Sequence, residues 1–343
     1  MRKITAVLIW LLSLFTTQAQ DLGRVLQQVS NGSRMDTLIL FEGGKELEYV
    51  PLSIMKGKQP GPVVTMVAGI HGYEYPPIMA VQEMMKEIDV RQLHGTLIIL
   101  PIANIASFYR RSPFVNPIDG KNLNNAFPGS ASGSITGQIA HWITQEVIAR
   151  TDVFVDIHGG DANEDLLPFI CYYDNRAAAK QTEQARLWCE ASGMEYIISY
   201  PYTLTKTEPA RYAFKQAVQD GVVALSIEAG KLGTVQDENV MLIKNAVYNM
   251  LHYSGMYKKE RTAIAKNKKY LHNQSYVKVP HKGIFYSPVR SGENITAGQD
   301  IGYITDDFGN VLHRITAPAS GVVLYKVGTP PVNAGETLFC IGY

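Results

Sequence analysis

Cysteine is scarce in this sequence: Cys171, Cys189 and Cys340 are the only three. An odd number at wide spacing excludes a disulfide framework, and the lack of any Cys-x-x-Cys pair argues against a thiolate zinc site. One bridge remains open, but burial as small apolar side chains is the plainer expectation. Net charge is almost absent, at +1 from 32 basic and 31 acidic residues. That leaves neither a basic footprint for nucleic acid nor an acidic tail. Long apolar runs are missing too, apart from residues 4–15. Arg2 and Lys3 precede that run and Thr17-Gln18-Ala19-Gln20 follows it. A bilayer-spanning helix needs roughly 20 apolar residues. The run therefore reads as an export signal cut after Ala19 rather than a membrane anchor. No cysteine follows the cut to carry a lipid. The expectation is a secreted or periplasmic protein with no stable membrane insertion after cleavage.

What is present is ordinary globular material, 46% hydrophobic and 18% charged over 343 residues, enough for about two domains. Residues 36–55 alternate around Gly43-Gly44, which predicts an antiparallel β opening, and 57–62 read as a loop. The apolar run Val63-Val64-Thr65-Met66-Val67-Ala68 predicts a buried strand that breaks at Gly69-Ile70-His71-Gly72-Tyr73-Glu74. Pro76 and Pro77 then suit the first turn of a helix over 77–88. A second strand is expected at 96–101, and an aperiodic segment over 103–133 carries Arg110 and Arg111. A loop that long in a compact domain is usually functional. Further on, helices are predicted over 135–147, 176–192, 209–219 and 238–253, and strands over 152–157, 169–173 and 222–227. Strands alternating with helices imply an α/β domain around a mixed, largely parallel sheet flanked by helices. Residues 258–269 turn basic and suit a linker or a solvated helix. Beyond them the turns separate short β runs, which predicts a small all-β domain. The expected division is 1–19 signal, 20–270 main domain and 271–343 C-terminal β domain.

His71, Glu74, His158 and Glu228 each stand just beyond a predicted strand's carboxyl end, the place where such sheets bind ligands. Taken singly each has a dull explanation. A lone histidine after a strand is more often a hydrogen-bonded turn residue, Glu74 could complement a helix dipole, and Glu228 could mark a surface turn. Asp156 could simply pair with a backbone group or an arginine. Their shared placement is what points to a site. His71, Glu74 and His158 form a His₂Glu set of the kind that holds one zinc ion and leaves a position open. Glu228 is then the candidate proton relay, and Arg110 or Arg111 the candidate partner for an oxyanion or a substrate carboxylate. The other histidines (94, 141, 252, 272, 281 and 313) lack such context and read as structural or exposed.

The stretch Gly69-Ile70-His71-Gly72-Tyr73-Glu74 resembles the His-Gly-x-Glu signature of the succinylglutamate desuccinylase and aspartoacylase group, which shares the zinc carboxypeptidase fold. The resemblance extends through Asn122-Leu123-Asn124-Asn125-Ala126-Phe127-Pro128-Gly129, Val155-Asp156-Ile157-His158-Gly159 and Ile227-Glu228-Ala229-Gly230, and covers roughly residues 48–343. Four motifs in order are far more specific than one. The resemblance implies zinc on His71, Glu74 and His158, Glu228 as general base and acid, and Arg111 as the oxyanion-stabilising arginine with Arg110 as its fallback. It places Asn124, Asn125 and Arg110 against the substrate and Asn122 beside a zinc histidine. Two positions depart from the family pattern. Asn122 stands where the family carries an aspartate, and Asn125 where it carries the arginine that grips a carboxylate. Arg110 or Arg211 would have to supply that charge. The C-terminal segment resembles a barrel-sandwich carrier domain, but its turn Ala317-Pro318-Ala319-Ser320-Gly321-Val322-Val323 lacks the carrier lysine. It reads as a cover for the cleft or an oligomer contact.

The resulting expectation is a zinc hydrolase that cleaves an amide bond of an N-acyl amino acid or similar small substrate. A metallocarboxypeptidase acting on peptides or cell-wall fragments is the nearest alternative, and a zinc-fold binding protein without turnover the next. The expected partner is a small or short peptide-like substrate and not nucleic acid; a homo-oligomer is compatible with the sequence.

Overall fold

The strand that runs into His71 lies near the middle of a nine-stranded sheet. The computed structural model describes residues 21–41, 48–259 and 264–343. The expected export signal and the Gly43-Gly44 turn lie outside those residues. Helix α1 (Leu22–Gln28) leads into strands β1 (Ser33–Phe41), β2 (Glu48–Lys56) and β3 (Gln59–Ala68). Then come helix α2 (Tyr75–Glu87), strand β4 (His94–Leu100), the short helix α3 (Ile105–Arg110) and helix α4 (Ile135–Trp142). Strands β5 (Val153–His158), β6 (Glu164–Leu166) and β7 (Phe169–Asp174) precede helix α5 (Ala179–Ala191) and strand β8 (Tyr196–Pro201). Helix α6 (Ala213–Gln219), strand β9 (Val223–Glu228), helix α7 (Asp237–Tyr253) and strand β10 (Lys269–Leu271) complete this part.

The sheet order is β1-β2-β4-β3-β5-β9-β7-β8-β10. Its centre, β4-β3-β5-β9, is parallel, as are β7-β8 and β8-β10, while β1-β2, β2-β4 and β9-β7 are antiparallel. The sheet is therefore mixed and mostly parallel. Successive strand residues face opposite sides, and the two faces build two cores. Phe154, Val67 and Ile54 pack with Leu22 of α1, Trp142 of α4 and Ala217 of α6. Met66, Val155 and Leu225 pack with Met84 of α2, Trp188 of α5 and Ile243 of α7. On that second side Lys244 is buried, with its ammonium on Glu83 and Glu87 of α2. That ion cluster ties α7 to the helix that begins next to Glu74.

Several local expectations change. The expected loop at 57–62 is in part strand, because β3 starts at Gln59 and pairs with His94. The segment 103–133 is not wholly irregular: α3 and a 3₁₀ turn at Leu123–Asn125 interrupt it, both too short to show a period. The helix expected over 135–147 widens into a π turn at Ile143–Val147. Helix α1, β6 and β8 are additions. The basic segment forms no helix among its described residues, and it ends in β10.

The C-terminal part contains β11 (Gln274–Lys278), β12 (Gly283–Tyr286), β13 (Asn294–Ile295) and β14 (Asp300–Thr305). It continues with β15 (Val311–Thr316), β16 (Gly321–Val327), β17 (Pro331–Val332) and β18 (Thr337–Gly342). They form two sheets, β11-β18-β16-β13 and β15-β14-β12-β17, around Ile301, Ile304, Val323, Leu338 and Phe339. The two parts exchange strands. Strand β6 leaves the main domain to pair with β16, while β10 extends the main sheet beside β8. Short as they are, both satisfy backbone groups that an edge would otherwise leave unpaired. All three cysteines are free and buried.

Candidate metal centre and groove

The carboxyl ends of β3, β5 and β9 are adjacent in the sheet, so the residues just beyond these three strands gather in one place. After β3 the chain turns at Gly69, held by Ala103 N–H to Ala68 O at 2.9 Å and Asn104 N–H to Gly69 O at 2.9 Å. That turn presents His71, and Glu74 comes next as the residue that caps α2. His158 ends β5 and sits opposite Glu228, which ends β9, as paired residues of neighbouring strands. Each histidine is succeeded by a glycine, and the reason is backbone contact. A Cβ on Gly72 would stand 2.3 Å from the Phe108 nitrogen of α3, and one on Gly159 would stand 2.6 Å from the Ala229 carbonyl oxygen.

His71, Glu74 and His158 are buried, and one ligand atom from each lies within 4.8 Å of the others. The His71 Nδ1 is 2.7 Å from Glu74 Oε1, and the His158 Nδ1 is 3.1 Å from Glu74 Oε2. Both Nδ1 atoms thus face one carboxylate. The Nε2 atoms are engaged behind: His71 Nε2 donates to Asn122 Oδ1 at 3.0 Å, and His158 Nε2 meets Asp156 Oδ1 at 3.1 Å. Two oriented imidazole nitrogens and a carboxylate in a buried cluster make a donor set suited to zinc, with the far ring nitrogens held as metal-binding histidines usually are. The residues present fit the ion.

The electrostatics arise from this crowding. Burial works against a charged His71, but the Glu74 carboxylate overrides it and raises the imidazole to about 9. Burial likewise opposes a charged Glu74, and the two imidazoles hold its carboxyl at about 2. His158 is raised well above its ordinary value because Asp156 and Glu74 outweigh its burial. Glu228 goes the other way. Burial pushes its carboxyl up to about 8 against the pull of His158, and its Oε1 accepts from the Ser226 hydroxyl at 2.9 Å. A carboxyl poised there can take up and release a proton near neutral pH.

The remaining candidates separate. Arg111 ends α3 in the left-handed conformation (φ 52°), and its charge is felt by the Tyr75 hydroxyl at the start of α2. Arg110 points elsewhere, lining a small cavity with Glu48, Tyr49 and Ile118. Asn122 and Asn125 line a groove of about 680 Å³ that begins at the His71 side of the cluster. Asn124 does not line it; its Oδ1 is buried without a partner. Arg211 does line the groove. Asp156, an ordinary ion-pair candidate from the sequence alone, is fully buried, and its Oδ2 accepts from the Phe214 N–H of α6 at 3.3 Å. Its position two before His158 on one strand puts both on the same face. Phe114, unremarked in the sequence, packs edge-on against His71 with ring centroids 5.9 Å apart, and its N–H donates to Asp161 Oδ2 at 3.0 Å.

A model of the succinylglutamate desuccinylase/aspartoacylase catalytic domain matches residues 60–254. The chain belongs to this family. The N-alpha-acetyl-L-2,4-diaminobutyric acid deacetylase of Halomonas elongata is 29% identical over 301 residues, 85% of each chain. Among solved structures, the succinylglutamate desuccinylase/aspartoacylase from Rhodobacter sphaeroides superposes with a TM-score of 0.81 at 21% identity, covering 92% of this chain and 96% of that one. The product-bound ectoine utilization protein EutE (DoeB) from Ruegeria pomeroyi gives the same four values. At such identities the solved structures speak for the fold alone. The matched span includes all three residues of the buried cluster together with Asn122, Asp156, Arg211 and Glu228.

Proposed function

We propose that this family member is a zinc-dependent deacylase that cleaves the amide bond of an N-acyl amino acid or similar small substrate. The observation that carries the reading is the buried His71–Glu74–His158 cluster with Glu228 opposite His158 at the neighbouring strand end. The family match and the deacetylase named for the Halomonas relative support the choice of an amide bond. A zinc ion held by the cluster supplies Lewis-acid polarisation of a carbonyl oxygen and acidifies water. The chain's own residues do the rest. Asn122 and Asp156 fix the two imidazoles so that both Nδ1 atoms stay turned inward. Glu228 takes a proton from the attacking water and returns it to the departing nitrogen, a task its raised carboxyl suits. Arg111 stabilises the negative charge that develops on the carbonyl oxygen. The leader-like residues 1–19 support action outside the cytoplasm, in the periplasm or secreted, on a small substrate rather than nucleic acid.

The test is the metal content of the purified protein, then a hydrolysis panel that begins with N-acetyl-L-2,4-diaminobutyrate. Glu228→Gln is expected to keep the metal while lowering hydrolysis by roughly 10²–10⁴-fold. Full activity in that variant, or a protein that binds no metal, would sink the reading.

A further inference from the structure

Within four residues the chain after α3 twice takes a left-handed angle at a residue other than glycine, at Arg111 (φ 52°) and at Phe114 (φ 58°). Side chains disfavour such angles, which persist only where surrounding contacts impose them. Two fully buried side chains do so here, Ser107 and Asp161. Ser107 of α3 donates its hydroxyl to the Ser112 carbonyl at 2.7 Å, and the same oxygen accepts from the Gly72 N–H at 3.0 Å. The Ser112 N–H returns to the Ser107 carbonyl at 3.0 Å. One end of the bend is thereby fastened to the turn that presents His71.

Asp161 fastens the other end to the loop beyond His158. It stands three residues after that histidine, and its Oδ2 accepts from the Phe114 N–H at 3.0 Å. Its other oxygen accepts from the Ala162 N–H. Asp161 is itself held firmly: its N–H donates to Glu164 Oε2 at 2.8 Å, and its carbonyl accepts from the Glu164 N–H at 2.9 Å. Burying a carboxylate is costly unless its hydrogen bonds offset the lost water. Asp161 meets that cost with backbone amides, one of which belongs to the bend. Arg111 and Phe114 are therefore strung between the surroundings of the two histidines, and the Phe114 ring lies against His71. Neither Ser107 nor Asp161 is among the proposed ligands, acid or base.

We propose that Asp161 and Ser107 are positioning residues for Arg111: they hold the bend so that the guanidinium stands where the carbonyl oxygen gathers charge. This inference rests on the deacylase reading, in which Arg111 stabilises that oxygen. A donor fixed by its backbone needs no reorganisation during the reaction, and a displacement of about 1 Å can cost on the order of 100-fold in rate.

The experiment is a double-mutant cycle between Asp161 and Arg111 on zinc-loaded enzyme, with kcat, KM and zinc content measured for each variant. Arg111→Ala alone is expected to lower kcat by about 10²–10³-fold. Asp161→Ala should lower kcat by about ten- to a hundred-fold while KM and zinc content change little. Asp161→Asn keeps an acceptor for the Phe114 N–H and should recover most of that loss. In the Arg111→Ala background, Asp161→Ala should cost less than about three-fold, because the group it positions is gone. Ser107→Ala should follow the same pattern, and it carries the test if Asp161→Ala does not fold. Additive losses in the cycle, an unchanged kcat in both single variants, or loss of zinc in them would overturn the proposal. If the wild type hydrolyses nothing in the panel, or Arg111→Ala costs nothing, the catalytic reading has failed on its own account. Amide hydrogen exchange then decides whether the two residues hold the bend. Exchange over residues 111–116 about ten-fold faster or more in Asp161→Ala or Ser107→Ala, with β3 and β5 unchanged, supports it; unchanged exchange over 111–116 defeats it.

Discussion

His71 and His158 reach the same point by different routes and are held by different chemistry. His158 closes a strand, and the residue that orients it, Asp156, comes from the same strand two positions earlier. His71 stands in a turn beyond its strand and takes its partner, Asn122, from a loop far along the chain. The first partner carries a full charge and is buried; the second is a neutral amide at the edge of a groove. A histidine inside a strand obtains its orienting group from the strand's own period, whereas one in a turn must recruit it from elsewhere. The loop that supplies Asn122 also forms the neighbouring groove, so the groove and the orientation of an imidazole are joined on the His71 side only. On the His158 side, Asp156 instead links the centre to the segment that bears Arg211.

The largest expected effect concerns what the two arms share. Glu74→Gln removes the carboxylate that both Nδ1 atoms face, and the protein should emerge from dialysis without bound zinc by elemental analysis. Stoichiometric retention would mean that the two histidines do not depend on a common third ligand. Next come the glycines. Gly72→Ala and Gly159→Ala each drive a Cβ into backbone that cannot step aside, at a cost of at least about 1–3 kcal/mol, read as a fall in the thermal midpoint. An unchanged midpoint in either variant would show that the close approach beside that histidine has slack. The partners themselves should then separate the arms. Asp156→Asn is expected to weaken zinc by about 10–100-fold in chelator competition, and Asn122→Ala by less. Equal losses would erase the asymmetry between charged and neutral partners. Smallest of all, Asn122→Asp should tighten zinc a few-fold, because a carboxylate raises imidazole basicity where an amide does not. Weaker zinc in that variant would contradict the comparison.

The candidate metal cluster was legible because each of its members lies at or just past the end of an apolar strand that periodicity reveals, and a common position at strand ends is a geometric coincidence hard to produce otherwise. The sheet's mixed character was legible from the same alternation. Asp156 could have been found by applying the two-residue period backwards from His158, since a buried carboxylate on a ligand's face has few other uses. Phe114 and Arg211 could not be placed so directly. Both sit in irregular loops with left-handed backbone angles, where no period relates position to direction. Adjacent in sequence, Arg110 and Arg111 diverge in space because α3 ends between them, and a six-residue helix leaves too faint a pattern to announce that. Strand β6 was hidden for the same reason: three residues hold no period, and their partner β16 lies more than 150 residues further along the chain.

That borrowed strand bears on how the protein is made. The segment after His158 has its β6 residues bonded to β16, near the far end of the chain. At ordinary translation speeds of about 5–20 residues per second, its partner leaves the ribosome on the order of ten seconds later or more. Through that interval the nascent chain already contains both histidines and Glu74, while the segment beyond His158 has only its bonds within the main domain, among them Gly160 N–H to Gly230 O and Leu232 N–H to Glu164 O, to hold it. A product terminated before β16 therefore lacks the strand on which β6, six residues beyond His158, is paired.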